Sequence, residues 1–168
     1  MTMTEETKPT QDLIEIRIPL SLPCRFDTGP IMGRFLKGLR DEKRIWATYC
    51  KSCGRTMLPP QSVCAICNIE AAEWIELADE GYLTTFDVIM IPTINPLTGQ
   101  MRKVPYSVGR IVLDGGDAMI WHFLDETDPA KLGYGKRCKA VWEEVRTGRI
   151  TDIRYFHMLD EWDKNARP

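Results

Sequence analysis

The sequence predicts a mainly β chain in which an N-terminal arm and a short helix precede a metal-held ribbon and a small closed barrel. Three observations carry that expectation. Cys50, Cys53, Cys64 and Cys67 form a C-x2-C-x10-C-x2-C array, a spacing with which two tight turns aim four thiolates at one ion. From Glu73 onward, β-branched and aromatic runs alternate with short turns and show no helical period. Ahead of the array, Ile31, Phe35 and Leu39 recur at i, i+4 and i+8, the stripe of an amphipathic helix.

Residues 1–28 read as a polar tail followed by an extended arm. Ile14, Ile16, Ile18 and Leu20 alternate with polar residues, while Pro19 and Pro23 deny the segment a place inside a sheet. It is either an edge strand of its own domain or a stripe laid on a neighbouring chain. The helix spans 29–44, with Asp27 and Thr28 as caps and Pro30 in the first turn. Lys37, Arg40, Lys43 and Arg44 crowd its C-terminal half, where the helix dipole favours cations.

The ribbon covers 45–72. Ile45–Tyr49 is a strand entering the first knuckle, and Leu58-Pro59-Pro60 interrupts the hairpin before the second. Gly54 and Asn68 follow the two Cys pairs, and these residue types best tolerate the left-handed backbone of a metal knuckle. Four protein ligands leave no open position, so a bound Zn²⁺ is structural and not a Lewis acid. Two disulfides, four buried free thiols or an iron site are the alternatives that spacing leaves open. At this length the ribbon is expected to have almost no core beyond its metal.

The barrel is expected over 73–159, with 160–168 as a tail. Its strands are Glu73–Leu77, Tyr82–Ile91, Tyr106–Leu113, Ala118–Phe123, Lys136–Val145 and Ile150–Met158. Asp114-Gly115-Gly116-Asp117 and Arg146-Thr147-Gly148-Arg149 supply hairpin turns. Five or six strands without an intervening helix suggest an OB-type barrel. The stretch Pro92–Pro105 exceeds a simple turn, and loops of that length are usually functional or disordered.

Composition excludes several function classes. With 22 basic and 24 acidic residues the chain has no electrostatic footprint for nucleic acid. No apolar run approaches the roughly 18 residues of a membrane span, and the polar start lacks a secretory signal. Paired CxxC motifs without such a signal point to a reducing cytoplasm. His122 and His157, each flanked by large apolar residues in a strand, are expected to pack or face solvent. Cys24 and Cys138 lack a neighbouring group that would lower a thiol pKa. No nucleophile or phosphate-loop motif is present, so no catalytic residue is assigned. Most of the five tryptophans are expected in the strand core, with Trp162 in its charged surroundings as a partner anchor.

The helix with Phe35 and Leu36, the runs Tyr49-Cys50-Lys51-Ser52-Cys53-Gly54, Pro59-Pro60 and Cys64-Ala65-Ile66-Cys67, Trp74 and the later Gly81-Tyr82 together resemble one family. It is the acyl-CoA-associated zinc-ribbon/OB-fold family, and the resemblance covers about residues 29–158, with Asn68 where glycine is common. It implies an accessory subunit seated on a thiolase-superfamily enzyme that supplies the catalytic cysteine. The narrower expectation is the small subunit of a benzoylsuccinyl-CoA-type thiolase. A shared CoA ester wants cations and an apolar or aromatic surface. Arg102 and Lys103 in the long loop, and Arg34 and Lys37 on the helix, are the candidate contacts. A single-stranded nucleic-acid-binding protein and a rubredoxin-like electron carrier are the competing readings.

Overall fold

Pro30 sits in the first turn of α1 (Gly29–Lys37), where a missing N–H costs nothing. The Gly29 N–H donates to the Asp27 carboxylate at 3.1 Å, whereas Thr28, the other expected cap, makes no side-chain cap bond. The computed structural model describes residues 27–71, 73–95, 98–164 and 166, so the expected arm over 14–20 and Cys24 lie outside the described residues. α1 runs into a π turn, Gly38–Glu42, closed by Lys43 in the left-handed conformation at φ 54°. Gly38 lies against the Trp46 indole, and a Cβ there would collide with the ring. Phe35 and Leu39 are buried, as their stripe predicts.

β1 (Ile45–Tyr49) is the middle strand of a three-stranded antiparallel sheet, between β2 (Thr56–Met57) and β3 (Glu73–Leu77). β3 therefore differs from expectation. It pairs with β1 from Ile45–Leu77 to Tyr49–Glu73 and not with the barrel. The physical reason is proximity: the Cys array returns the chain beside β1, whose free edge is the first partner available. The ribbon also has more core than its length suggests. β1 turns Ile45 and Ala47 inward, where they join Phe35, Leu77 and the barrel residues Leu113 and Phe156 in one continuous cluster.

β4 (Glu80–Ile89), β5 (Tyr106–Leu113), β6 (Met119–Leu124), β7 (Lys136–Trp142) and β8 (Ile153–Trp162) close a barrel in the order β4-β5-β6-β8-β7. This is the Greek-key order of an OB barrel. Every pairing is antiparallel except β6 with β8, which is parallel and has one register pair, Leu124–Phe156. The expected tight turn at Arg146–Arg149 is part of a longer connection organised by Asp152. Its carboxylate accepts the N–H groups of Thr147, Gly148 and Arg149 at 2.9, 2.7 and 3.2 Å. Burial pushes this carboxyl's pKa up, but the three backbone donors outweigh it and hold it below the ordinary value.

The Asp114–Asp117 turn joins ribbon to barrel. Thr56 N–H donates to the Asp117 carboxylate at 2.7 Å, and Ala78 N–H donates to the Asp114 carbonyl at 2.9 Å. Gly116 permits the close approach, since a Cβ would lie 2.9 Å from Leu77 and 3.0 Å from Thr56. The Asp114 carboxylate also takes two bonds from the Arg137 guanidinium, at 2.8 and 2.5 Å. Asp163 and Glu80 lie 3.4 and 3.7 Å from the same guanidinium.

His122 points into the barrel wall and is 7% exposed. Its Nε2–H donates to the Ile150 carbonyl at 3.3 Å, and Nδ1 has no partner among the described residues. Burial lowers its pKa below 6.5. The unfolded chain then binds the extra proton first as pH falls, so stability drops from about pH 6.5 down to the folded-state pKa, by at most about 1.4 kcal/mol per pH unit. The melting temperature is expected to fall between pH 7.5 and 5.5, and His122→Gln to flatten that fall. An identical slope in the variant would assign the pH dependence elsewhere.

Candidate metal centre and barrel face

Each knuckle is built by the same two backbone bonds. Gly54 N–H donates to the Cys50 carbonyl and Asn68 N–H to the Cys64 carbonyl, both at 2.8 Å. Cys50 N–H in turn donates to Arg55, and Cys64 N–H to Ile69, both at 2.9 Å. Gly54 and Asn68 take φ of 71° and 53°, the left-handed backbone expected of them. Two such turns face one another and bring all four sulfurs within 4.8 Å of each other. Cys50 and Cys64 are buried, Cys67 is half-buried and Cys53 is exposed.

The donor set fits a tetrahedral ion. Zinc–sulfur bonds of about 2.3 Å require sulfur pairs about 3.8 Å apart, and Cys53 and Cys64 stand 3.7 Å apart. That is far beyond the roughly 2.05 Å of a disulfide, and these cysteines are all free. Backbone N–H groups of Cys67 and Ile66 pull the Cys64 thiol down to about 7. At Cys53 the Arg55 backbone donor pulls the same way but is outweighed by burial and the three other sulfurs, leaving it pushed up to about 12. Four thiolates cannot share this space without a cation, and a bound Zn²⁺ would supply the compensating charge.

The candidate CoA contacts fall into two separate places. Arg34 stacks over Trp74 at 4.3 Å and lies 5.2 Å from Trp46. It shares with Lys37 an open cavity of about 820 Å³ that also holds Asp41 and Glu42. Arg102 and Lys103 lie near the end of the long loop, just after the Ile94–Met101 bridge that pairs its two sides. Met90, Ile91, Ile94 and Met101 are exposed on it. Arg102 lies 4.9 Å from the Phe123 ring and 5.9 Å from that of Tyr106.

The outer face of β5 and β6 is the part that sequence reasoning missed. None of the five tryptophans is fully buried; Trp121 is 52% exposed and Trp162 54%. On β6 the alternation turns His122 inward and Trp121 outward, the reverse of the hydrophobic expectation. Arg110, opposite Trp121 on β5, stacks over its indole at 4.7 Å. On the β4 side of this pair lies an apolar hollow of about 780 Å³, with Val112, Met119, Tyr82 and Tyr134 in its lining. Cys138, buried and pushed up to about 12 by desolvation, is an inert core thiol. His157 pairs with Asp125 on the surface and has no nucleophile beside it among the described residues.

Residues 38–70 match the family described as ChsH2, rubredoxin-like zinc ribbon domain. The match covers the ribbon and the turn that leads into it, and leaves the barrel outside it. Among solved structures, the chain is similar to a protein of unknown function from the DUF35 family of Sulfolobus solfataricus. That pair is 20% identical with a TM-score of 0.53, over 78% of this chain and 85% of the other. It is also similar to an Ltp2-ChsH2(DUF35) aldolase chain, at 19% identity and a TM-score of 0.57, over 80% and 98% of the two chains. At these identities the likeness is one of fold. A search of curated proteins finds no significant match. No helix among the described residues is long and apolar enough to cross a membrane.

Loss of one ligand to the ribbon should be local, because β1 and the helix keep their apolar core. Purified protein is expected to carry one zinc per chain, and Cys53→Ser to lose it. Amide exchange should then accelerate across the two knuckles while Ile111 and Phe156 stay protected. A Cys53→Ser protein that retained a full equivalent of zinc would refute the four-ligand assignment.

Proposed function

We propose that the chain is a non-catalytic, zinc-containing accessory subunit of a thiolase-superfamily acyl-CoA enzyme, helping to bind the CoA ester and to stabilise the complex. The observation that carries this reading is the combination of a closed four-cysteine ribbon and an OB barrel in the fold shared with a chain of an Ltp2-ChsH2(DUF35) aldolase. A closed site offers substrate no coordination position. No Ser–His or Cys–His pair stands within hydrogen-bond reach among the described residues. Chemistry then belongs to a partner that supplies the nucleophile, and a thiolase of anaerobic aromatic degradation is the narrower form of the proposal.

Of the two candidate cation pairs, Arg102 with Lys103 is better suited to the phosphates. Arg34 and Lys37 share their cavity with three carboxylates, Asp27, Asp41 and Glu42, which would repel an anion. Arg102 instead sits on an aromatic platform from Phe123 and Tyr106, an arrangement that suits a phosphate-bearing ligand with an aromatic ring.

Mild purification from the native host is expected to bring down a thiolase-superfamily protein near stoichiometry. A chain that emerges alone, or with nucleic acid, would defeat the accessory-subunit reading. In the assembled enzyme, Arg102→Ala with Lys103→Ala should raise KM for the CoA ester about tenfold and leave kcat nearly unchanged. An unchanged KM would remove this pair from the ligand's path.

A further inference from the structure

We infer that the β6 face around Trp121 is the anchor point at which the catalytic partner docks, through a segment that carries an apolar side chain beside a carboxylate. This rests on the accessory-subunit reading and adds the surface that serves it. A small apolar cleft of about 170 Å³ lies on the β8 side of Trp121. It is lined by Val108, Trp121, His122, Phe123, Ile150 and Thr151. Its volume is well below the roughly 300 Å³ at which small-molecule sites begin. That size suits a single inserted side chain. Apolar surface continues around it, because Ile150 is 41% exposed and Val145, on the same β7–β8 connection, is 82% exposed.

Charge identifies what should flank the inserted side chain. Four other cations of the barrel are ion-paired: Arg137 with Asp114, Lys139 with Glu80, Lys131 with Glu126 and Arg154 with Glu143. Arg110 has no ion pair among the described residues, although Asp87 lies two positions from its register partner Thr85 on β4. Its guanidinium is held over the Trp121 indole instead. An arginine so positioned has N–H groups left for an incoming carboxylate and has already lost part of its side-chain freedom. Trp121 lines the cleft and Arg110 is stacked on it, and Trp and Arg are the residue types that dominate interface energetics.

The same stacking argues against nucleic acid. Single strands bind OB faces by laying bases on open aromatic rings. Here Arg110 covers Trp121 and Arg102 covers Phe123, so a base would have to displace the chain's own guanidinium.

The test uses the full-length, zinc-loaded chain and the acyl-CoA enzyme subunit that co-purifies with it. Trp121→Ala and Arg110→Glu are each expected to raise the Kd for that subunit about thirtyfold. Arg154→Glu, on the outside of β8, should leave it within about twofold. All three side chains are exposed, and zinc content with far-UV circular dichroism establishes that each variant folds. Unchanged affinity in both face variants would overturn the anchor while leaving the accessory-subunit reading intact. Absence of any such partner for the wild-type chain would remove both together. Salt-sensitive binding of an oligo-dT strand, lost in Trp121→Ala, would overturn the proposal in favour of nucleic acid.

Discussion

The fold depends on what the Asp114–Asp117 turn holds together. One four-residue loop accepts a backbone donor from β2 through Asp117, another from the β3–β4 link through the Asp114 carbonyl, and the guanidinium of β7 through the Asp114 carboxylate. Solvent screens the exposed Asp117 contact, whereas the two-pronged Arg137–Asp114 pairing, with Arg137 mostly buried, has the geometry in which an ion pair contributes most. Gly116 lets the turn sit flush on Leu77 and Thr56. Because the turn ties ribbon to barrel, the metal site and the barrel face are presented in a fixed relation to one another.

Two kinds of stabilisation then act on different parts of the ribbon. Thiolates and backbone donors shape the knuckles, where little apolar surface is available. Apolar packing holds β1, which shares its core with the helix and the barrel. Thr48 links the two regions: its buried hydroxyl donates to the Gln61 carbonyl at 2.9 Å and accepts the Gln61 N–H at 3.0 Å. The loop leading into the second knuckle is thereby fixed to a strand whose own position does not depend on the ion.

Local patterns were legible in the sequence where one residue type meets one backbone requirement. The Cys array, the left-handed Gly54 and Asn68, the Phe35–Leu39 stripe and the Asp114–Asp117 turn all stand where their chemistry places them. Pairing across the sheet was less visible, because period-2 alternation says that Glu73–Leu77 is a strand without naming its neighbour. The face around Trp121 was hidden for a related reason. Inward and outward positions on β6 follow from how the barrel closes, and Trp121 and His122 are adjacent residues whose hydropathy alone would have assigned them the opposite way.

That closure has a further consequence. β6 and β8 meet in parallel through the single register pair Leu124–Phe156, whereas β5 with β6 has six such pairs. The barrel wall is therefore least stitched by backbone bonds along this seam. Beside it, His122 reaches across to the Ile150 carbonyl as one side-chain thread between the two lips. The cleft next to Trp121 opens onto this same border, so a side chain seated there would act as a clasp on the weakest closure of the barrel, and occupancy of the face and rigidity of the wall would rise together.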